Sequence, residues 1–461
     1  LLRDAPRGRR ALLHFVGGSR AERVASARHA CRELGLDLHV LRGADVPSEP
    51  RAREELARVW TRENVLLGSA LLIESEPSEA HGARLALAGF IDAAEGRLCL
   101  SGGDAPELKS ACVLRVECRP PTRAEQRALW RDAFGSPLAG GAGLELGVER
   151  LVGQFSLSRE LIEEVAAEAR SAAPERAPEQ AWNAVRRRIR PSFGTLARLI
   201  EPKASWERLV LPAAQKSVLR DIAVHVKQRQ RVYDSWGFAE RSSRGLGISA
   251  LFAGPSGTGK TMAAEVLARQ LELDLVHVDL SRVISKYIGE TERNLSQIFD
   301  AAEAGSAILL FDEADALFGR RSEVKDAHDR YANIEVSYLL QRMEEYRGLA
   351  LLTSNRENDL DVAFARRLRF VVRFPHPEPA ERSEIWRHVF PTETPTDGLD
   401  HERLSRLELS GGNIRNIALH AAFLAAEEQS AVGMRHCASA ARSELRKLGL
   451  TLPERELRGW E

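Results

Sequence analysis

Short apolar runs alternate along the chain with longer stretches that are rich in Ala, Arg and Glu. Gly and Ser residues cluster after the runs, which lie at residues 11–16, 70–73, 248–253, 275–279, 307–311 and 349–353. Short apolar runs bounded by turn residues predict buried strands, and the longer stretches predict helices. This alternation of strand, turn and helix is typical of an α/β fold with parallel sheets.

The second half of the chain repeats the first at an offset of about 237 residues, as tandem copies of one unit do. Four segments match in the same order, the first three at an offset of 237 or 238 and the last at a larger one: residues 15–17 with 252–254, 34–38 with 271–275, 71–74 with 309–312, and 123–130 with 379–386. We interpret this order as two tandem α/β modules, each followed by a helical subdomain. Chance alignment of helices with similar Ala, Leu and Arg content is the alternative.

Composition limits the partners that we expect. A chain of 461 residues is too long for one ordinary core. Its 66 basic and 66 acidic residues give a formal net charge of zero, so no global field attracts nucleic acid or an anionic membrane. The basic helix at residues 181–190 has two interpretations, contact with phosphate or a solvated helical face, and we favour the second.

The cysteines and the apolar runs predict a cytoplasmic location. The five cysteines form no CxxC pair, which is typical of reduced thiols. No uninterrupted apolar run reaches the roughly 18 residues that would span a membrane, and we expect no signal peptide. Because the first residue is Leu1 rather than Met, we expect sequence upstream of it.

The strongest chemical signal is GPSGTGKT, which follows an apolar run and precedes a predicted helix. Glycines let several backbone N–H groups face one anion, and the helix N-terminus adds positive potential. Lys260 would neutralise the β- and γ-phosphates, and Thr261 would ligate Mg²⁺. The predicted phosphate-binding residues are Gly254, Pro255, Ser256, Gly257, Thr258, Gly259, Lys260, Thr261 and Met262.

Two later apolar runs end in polar residues. Residues 307–315 (AILLFDEAD) lie about 50 residues after the glycine loop and would deliver Asp312 to the metal and Glu313 to the attacking water. Asn355 ends the next run, where it would hold the same water or sense the γ-phosphate. A turn-capping asparagine is the alternative for Asn355.

Three further groups extend this set. Arg366, with Arg369, would reach a phosphate in a neighbouring subunit, although a solvated basic turn is the alternative. Arg415 would fold over the nucleotide from the second helical subdomain, or it follows an ordinary helix cap. Tyr287, with Lys286 and Ile288, places an aromatic in a predicted loop, where an aromatic in isolation is more often part of a core.

Together these residues resemble the AAA+ superfamily over residues 206–429. GPSGTGKT resembles Walker A, ILLFDEAD Walker B, TSN sensor 1, KYIG the first pore loop, and residues 366–369 the second region of homology. Residues 318–343 further resemble the bacterial subgroup encoded beside extracellular contractile injection systems.

The resemblance implies a role for each residue. Lys260 and Thr261 serve the phosphates and Mg²⁺, Asp312 the metal, and Glu313 is the catalytic base. Asn355 is sensor 1, Arg366 and Arg369 are fingers acting in trans, and Tyr287 grips a translocating polypeptide. Adenine is expected near residues 210–212 and 236–238. Many proteins with such an arginine pair carry a small residue at the lid position of Arg415, so its role as sensor 2 stays open.

The first module lacks this chemistry. The alignment places Glu22, Arg23 and Val24 opposite Gly259, Lys260 and Thr261, and it places Glu74, Ser75 and Gly103 opposite Asp312, Glu313 and Asn355. Valine offers no hydroxyl to Mg²⁺, and loss of the base alone removes orders of magnitude from hydrolysis. We therefore expect module one to act as a scaffold, adaptor or ring stabiliser without hydrolysing ATP.

The predicted fold is α/β, with two tandem AAA+ modules that are each a parallel-sheet P-loop NTPase core followed by a small helical lid. The expected boundaries are a degenerate core at 1–121, its helical lid at 122–190, a linker at 191–211, an active core at 212–375 and a C-terminal helical lid at 376–461. The expected function is hydrolysis of Mg-ATP in a homo-oligomeric ring, a hexamer, that remodels, unfolds or (dis)assembles a protein client, such as a component of a contractile injection system. The alternatives are an ATP-gated assembly switch without threading and a nucleic-acid-dependent motor, which the neutral charge disfavours.

Overall fold

The structure is a computed structural model, which describes residues 10–18, 20–75, 81–119, 121–134, 141–170, 176–190, 193–241, 246–284, 289–316, 327–355, 366–450 and 460. The chain divides into two compact units, Leu1–Val185 and Arg186–Glu461. Each unit is considered by itself below.

The first unit begins with a parallel five-stranded sheet whose strands alternate with helices. The elements are β1 (Arg10–Val16), α1 (Arg20–Glu33), β2 (Asp37–Arg42), a 3-10 turn (Gly43–Asp45), α2 (Pro50–Leu67), β3 (Ser69–Ser75), α3 (His81–Ala93), β4 (Arg97–Gly102) and β5 (Ala111–Glu117). The strand order is β2-β3-β4-β1-β5, with Leu13 of β1 opposite Cys99 of β4 and Leu114 of β5. Phe90, Leu72 and Ile73 are fully buried in the cores of this sheet.

Helices follow the first sheet: α4 (Arg123–Phe134), α5 (Gly141–Gln154), α6 (Arg159–Ala169) and α7 (Ala177–Arg188). Trp130 of α4 is fully buried. Phe155 packs against Trp182 of α7, with 4.8 Å between ring centroids. The division between the two units falls inside α7, a few residues before the predicted end of the first lid at residue 190.

The second unit contains a six-stranded sheet. Its elements are β6 (Ala197–Ile200), α8 (Ala213–Gln230), a π-helical turn (Arg231–Ser235), α9 (Phe238–Arg241), β7 (Ile248–Ala253), α10 (Lys260–Leu271), β8 (Leu275–Asp279), α11 (Leu280–Val283), α12 (Glu290–Gly305), β9 (Ile308–Asp312), a 3-10 turn (Ala314–Ala316), α13 (Ala327–Glu345), β10 (Leu349–Ser354) and β11 (Phe370–Arg373). The strand order is β11-β7-β10-β9-β8-β6, and only β6 runs antiparallel to its neighbour.

The central strands β7 and β10 are buried along their whole length because helices cover both faces of the sheet. Leu251, Val276, Phe311 and Leu352 belong to one core with residues of α12 and α13. Strands buried on both faces need continuous apolar sequence, which explains why the apolar runs at 248–253 and 349–353 predicted them correctly.

The two sheets are wound in the same way. Reading each sheet from its fifth parallel strand gives β5-β1-β4-β3-β2 in the first unit and β11-β7-β10-β9-β8 in the second. The matched segments at residues 123–130 and 379–386 both lie on helices, and Trp130 and Trp386 are both fully buried. The predicted α/β fold with P-loop NTPase sheets is therefore confirmed.

The C-terminal part of the second unit is a small helical lid. It consists of α14 (Pro379–Val389), α15 (His401–Ser405), α16 (Gly411–Glu427) and α17 (Met434–Lys447). Trp386, Ile414 and Ile417 are fully buried in its core. Glu378 and Glu381 form a capping box at the start of α14, and the Ser410 side chain caps α16, so local sequence fixes where both helices begin.

Two expectations change. The predicted linker at 191–211 is not a free connector, because β6 pairs with β8 and covers what would otherwise be an open sheet edge. The basic helix is not merely a solvated face either. Asp274 is 8% exposed and accepts a hydrogen bond from Arg186, and its Oδ2 lies 3.5 Å from Nε of Arg190. The two arginines supply the cationic partners that so buried a carboxylate requires. None of the described helices is long and apolar enough to cross a bilayer.

Candidate active site

The glycine loop joins β7 to α10 in a conformation that larger residues would not adopt. Gly254, Gly257 and Gly259 have φ values of 151°, 79° and 100°. A Cβ on Gly254 would lie 2.1 Å from the carbonyl oxygen of Phe374. The loop therefore folds tightly against β11 and leaves the N-terminus of α10 open, which is the arrangement that binds phosphate.

Lys260 lies at the centre of this loop and is 7% exposed. Its Nζ donates hydrogen bonds to the carbonyl oxygens of Gly254 (2.6 Å) and Pro255 (2.9 Å) and to Oδ1 of Asn355 (2.9 Å). Burial lowers the pKa of the Lys260 ammonium below its ordinary value, and the carboxylate of Asp312 opposes that shift. The loop and the end of β10 thus converge on one buried cation, where a phosphate would meet it.

Asp312, at the end of β9, is the anchor of a hydrogen-bond network. Its Oδ1 accepts from the Thr353 hydroxyl and from the Glu313 backbone (3.2 Å), and its Oδ2 lies 3.1 Å from Nε2 of His277. The hydrogen bond with His277 is the main cause that lowers the pKa of Asp312, and the bond from Thr353 adds to it, while burial acts in the opposite direction. Asp312 is therefore an ionised carboxylate held in a fixed orientation.

Glu313 differs from Asp312 in its surroundings. It has a φ of 54°, a conformation that is uncommon for residues other than glycine and that clusters at active sites. Its backbone N–H donates to the Thr353 hydroxyl at 3.1 Å. Its side chain is exposed and belongs to the wall of a cleft that also contains Lys260 and Asp312.

Asp315 fixes the position of Asn355. Its Oδ2 accepts from the Asn355 backbone N–H at 2.9 Å, and its Oδ1 accepts from the Ser354 hydroxyl at 2.5 Å. Asp315 belongs to the acidic motif but has no role predicted from sequence, and neither Thr353 nor His277 has one. Thr353 lies on the strand next to that of Asp312, and this relation becomes apparent only when the strand order is known.

A cleft of ≈ 580 Å³ joins these groups. Its lining includes polar residues, those of the glycine loop with Asp312, Glu313, Asn355 and Arg415, and apolar ones, Leu209, Val210, Leu211, Pro212, Ile385 and Val389. A lining of both kinds suits a ligand that combines a charged chain with a flat base. Of the two ranges expected near adenine, 210–212 lines the cleft, whereas 236–238 is absent from its described lining.

The residues present fit Mg-ATP. Thr261 and Asp312 both line the cleft and supply the hydroxyl and carboxylate oxygens that Mg²⁺ prefers. The described residues include no cluster of three His, Cys, Asp or Glu that would hold a metal without a ligand. Proteins usually hold Mg²⁺ through one or two carboxylates together with substrate phosphates.

The lid touches the glycine loop directly. The Gly412 backbone at the start of α16 donates to the Gly257 carbonyl oxygen at 2.9 Å, and a Cβ on Gly257 would lie 2.7 Å from the Ser410 hydroxyl. The same part of α16 brings Arg415 to the cleft. The lid therefore contributes Gly412 and Arg415 to the wall of the cleft.

The predicted arginine pair lies elsewhere. Arg366 and Arg369 are exposed, and neither is among the described residues that line the cleft of their own unit. The predicted pore residues Lys286, Tyr287 and Ile288 lie outside the described residues, as do residues 318–326 of the segment at 318–343.

The corresponding loop of the first unit is filled by its own side chains. Arg23 Nη1 donates to the carbonyl oxygens of Gly17 (3.2 Å) and Gly18 (2.8 Å), the loop positions that match the two carbonyls contacted by Lys260. Arg20 forms two hydrogen bonds of 2.7 Å to Glu74, the residue opposite Asp312. The guanidinium of Arg20 is therefore hydrogen-bonded to the carboxylate of Glu74, which the alignment places in the metal-binding position.

Comparisons with known proteins agree with this geometry. Residues 250–377 match the family described as ATPase family associated with various cellular activities (AAA), and residues 122–191 match the contractile injection system ATPase helical domain. An uncharacterized AAA family ATPase, y4kL, from Sinorhizobium fredii is 34% identical over 183 residues, which are 39% of this chain and 53% of that protein.

Two further relatives are named for the proteasome. A proteasome-activating nucleotidase from Saccharolobus islandicus is 30% identical over 184 residues, covering 38% of this chain and 47% of the relative. The 26S proteasome subunit RPT4 from Saccharomyces cerevisiae is 33% identical over 184 residues, covering 38% and 42%. The chain spans about half the length of these relatives or less. From the site and these matches together, the chain carries an AAA-family ATPase domain in its second unit and a contractile injection system ATPase helical domain in its first.

Proposed function

We propose that the second unit binds Mg-ATP and hydrolyses it. The observation that carries this proposal is the buried Lys260 ammonium, which the glycine loop and Asn355 surround in a cleft lined by both polar and apolar residues. Lys260 and the N–H groups of the loop would hold the β- and γ-phosphates. Mg²⁺, next to Thr261 and Asp312, would neutralise phosphate charge in the transition state.

The side chains of this unit have distinct tasks in the reaction. Glu313 would accept a proton from the attacking water, because its carboxylate lines the cleft without the hydrogen bonds that fix Asp312. Asn355, held through its backbone by Asp315, would orient the same water or the γ-phosphate. Closure of the lid through Gly412 and Gly257 would exclude other water from the cleft.

Binding is tested by titrating the full-length protein with Mg-ATP in a calorimeter. We expect about one ATP per chain, because the first unit lacks the lysine and the hydroxyl that the second unit provides. Lys260→Ala should abolish this binding, and Lys227→Ala, which removes an exposed lysine of α8, should leave it unchanged. Two sites per chain, or undiminished binding in Lys260→Ala, would contradict the proposal.

We further propose that the protein works as a homo-oligomeric ring, a hexamer, in which Arg366 and Arg369 reach the nucleotide of the next subunit. Both arginines are exposed and absent from the described lining of the cleft in their own unit, which supports action in trans. The first unit would serve as a scaffold that does not hydrolyse ATP, since Arg23 and Arg20 occupy its loop and its Glu74. The proposed domain boundaries remain those expected from the sequence, with β6 added to the second core.

A protein client is the partner that we propose. Two relatives are named as a proteasome-activating nucleotidase and a 26S proteasome subunit, and the first unit matches a contractile injection system ATPase helical domain. The neutral net charge gives no electrostatic attraction to nucleic acid. All five cysteines, which lie in the described part of the chain, are unpaired, which fits a cytoplasmic location.

Threading of the client is separable from hydrolysis by a variant of the predicted pore aromatic. If the cycle pulls a polypeptide through the ring, Tyr287→Ala should lose client unfolding at least tenfold and retain ATP turnover, because no residue of the cleft changes. Tyr287→Phe is the matched control and should keep both activities. Full client remodelling by Tyr287→Ala would instead favour an ATP-gated assembly switch.

A further inference from the structure

Arg369 is held at the surface of its own unit by Tyr233. The Arg369 Nη1 donates a hydrogen bond to the Tyr233 hydroxyl, and the guanidinium carbon lies 5.6 Å from the centroid of the Tyr233 ring. One aromatic side chain thus meets the guanidinium both through its hydroxyl and through its π-face. Together, the hydrogen bond and the contact with the ring limit the rotamers open to the long and flexible side chain of Arg369.

Both residues of this contact are connected to regular secondary structure, Tyr233 within the π-helical turn and Arg369 directly before β11. Tyr233 lies in the π-helical turn that ends α8, and π-helical turns are frequent at functional sites. The backbone N–H of Arg369 donates to the hydroxyl of Ser249, which is 3% exposed on β7. The next residue, Phe370, packs edge-on against His225 of α8, with 4.9 Å between ring centroids. The arginine is therefore fixed between the central sheet and α8.

Arg366 provides a contrast within the same segment. It is exposed and makes no hydrogen bond or ion pair with another described residue. An arginine without such a contact must give up more rotamer freedom when it meets a phosphate. Tyrosine is also a suitable holder, because its neutral hydroxyl orients the guanidinium without neutralising the positive charge, whereas a carboxylate would compete with the phosphate for that charge.

We propose that Tyr233 is a positioning residue that orients the Arg369 guanidinium for the nucleotide of the neighbouring subunit. This inference rests on the proposed function, since it requires Arg369 to act in trans. It assigns a role to the π-helical turn, which no sequence motif connects with catalysis. Tyr233 itself touches neither the substrate nor the reacting atoms.

The test is a double-mutant cycle on the full-length protein, with kcat and KM for Mg-ATP as the readouts. Tyr233→Phe removes the hydroxyl and keeps the ring, so a melting curve like that of wild type is expected. It should lower kcat about tenfold and leave KM unchanged, because the nucleotide cleft is not altered. In an Arg369→Ala background, the same substitution should cause no further loss of kcat.

Arg231→Ala is the matched control. It removes a similar contact in the same turn, the Arg231 guanidinium over the Trp236 ring at 5.6 Å, and should leave kcat unchanged. Additive losses from Tyr233→Phe and Arg369→Ala would overturn the proposal, as would a normal kcat in Tyr233→Phe when Arg369→Ala is impaired. A normal kcat in Arg369→Ala would overturn the arginine-finger assignment and the role of Tyr233 with it.

Discussion

Two adjacent carboxylates at the end of β9 have different environments and therefore different expected tasks. Asp312 accepts hydrogen bonds from Thr353 and from the backbone of Glu313, and the contact with His277 is the main cause of its lowered pKa. It remains ionised and fixed, as a metal ligand must. Glu313 follows at a φ of 54° with its side chain exposed in the cleft, without the hydrogen bonds that hold Asp312.

Replacing Glu313 by glutamine should therefore separate binding from hydrolysis. Glu313→Gln keeps the size of the side chain but cannot accept the proton of the attacking water, so kcat should fall at least about 100-fold. The affinity for Mg-ATP should stay within about threefold of wild type, since Lys260, Thr261 and Asp312 are unchanged. Phosphate release measured over a single turnover gives the first value, and calorimetry gives the second.

Glu345→Gln serves as the control for this substitution. Glu345 lies near the end of α13 and pairs with Arg342, away from the cleft, so its kcat should match that of wild type. If Glu313→Gln hydrolysed ATP as fast as the wild type, the assignment of Glu313 as the base would be wrong.

At the residue scale, sequence predicted the groups that the structure brings to the cleft and missed those that hold them. Lys260, Asp312 and Asn355 lie in short motifs with fixed spacing, and the structure brings them to one cleft. Thr353 and Asp315 act through contacts between separate segments of the chain. Such contacts depend on strand order and side-chain direction, which apolar periodicity does not specify.

At the scale of elements, the start of α16 and the glycine loop form one packed unit. Gly257 leaves no space for a side chain, since a Cβ there would lie 2.7 Å from the Ser410 hydroxyl and 3.2 Å from the Gly412 backbone nitrogen. The contact explains why a small residue is required at that loop position even though Gly257 is not one of the motif's fixed glycines.

We expect Gly257→Ala to weaken Mg-ATP binding about tenfold or more, because the added methyl group would displace α16 or the loop from the cleft. Alanine at a φ of 79° also strains the backbone. Gly398→Ala controls for that strain, since Gly398 has a φ of 60° and open space around its Cβ position. Both variants should lower the melting temperature, and only Gly257→Ala should lose affinity in calorimetry. Equal affinities in the two variants would show that packing against Ser410 is unimportant.

Strands buried on both faces were predictable because they require continuous apolar sequence. In the second unit, the residues that follow these strands include those of the site. The edge strand β6, in contrast, was not predictable from the sequence. Its four residues are half-buried or exposed, and they pair with β8 through the backbone, so their sequence carries little apolar signal. The segment was consequently predicted to be a linker.

At the scale of the whole molecule, two units with the same order of parallel strands have different chemistry at equivalent loops. In the second unit Lys260 and Asp312 lie open to a cleft, and in the first Arg23 and Arg20 occupy the equivalent loop and carboxylate. One proposed ATP per chain then requires that any cooperation between sites pass between chains. The exposed arginines before β11 are the groups through which neighbouring chains would be coupled.

Mixed assemblies test this coupling, because a finger acts on the site of its neighbour. Subunits with Arg366→Ala keep an intact cleft but cannot supply this guanidinium to the next subunit, and an arginine finger contributes about 10³-fold or more to phosphoryl transfer. Adding equal amounts of the variant to wild type, with time for subunit exchange, should therefore reduce the activity of wild-type sites as well, below the sum of the two separate activities. Arg387→Ala, on the lid helix α14, is the control and should give the sum. If the Arg366→Ala mixtures were also strictly additive, then Arg366 would act within its own chain or not at all, and the exposed position of this arginine would have no catalytic meaning.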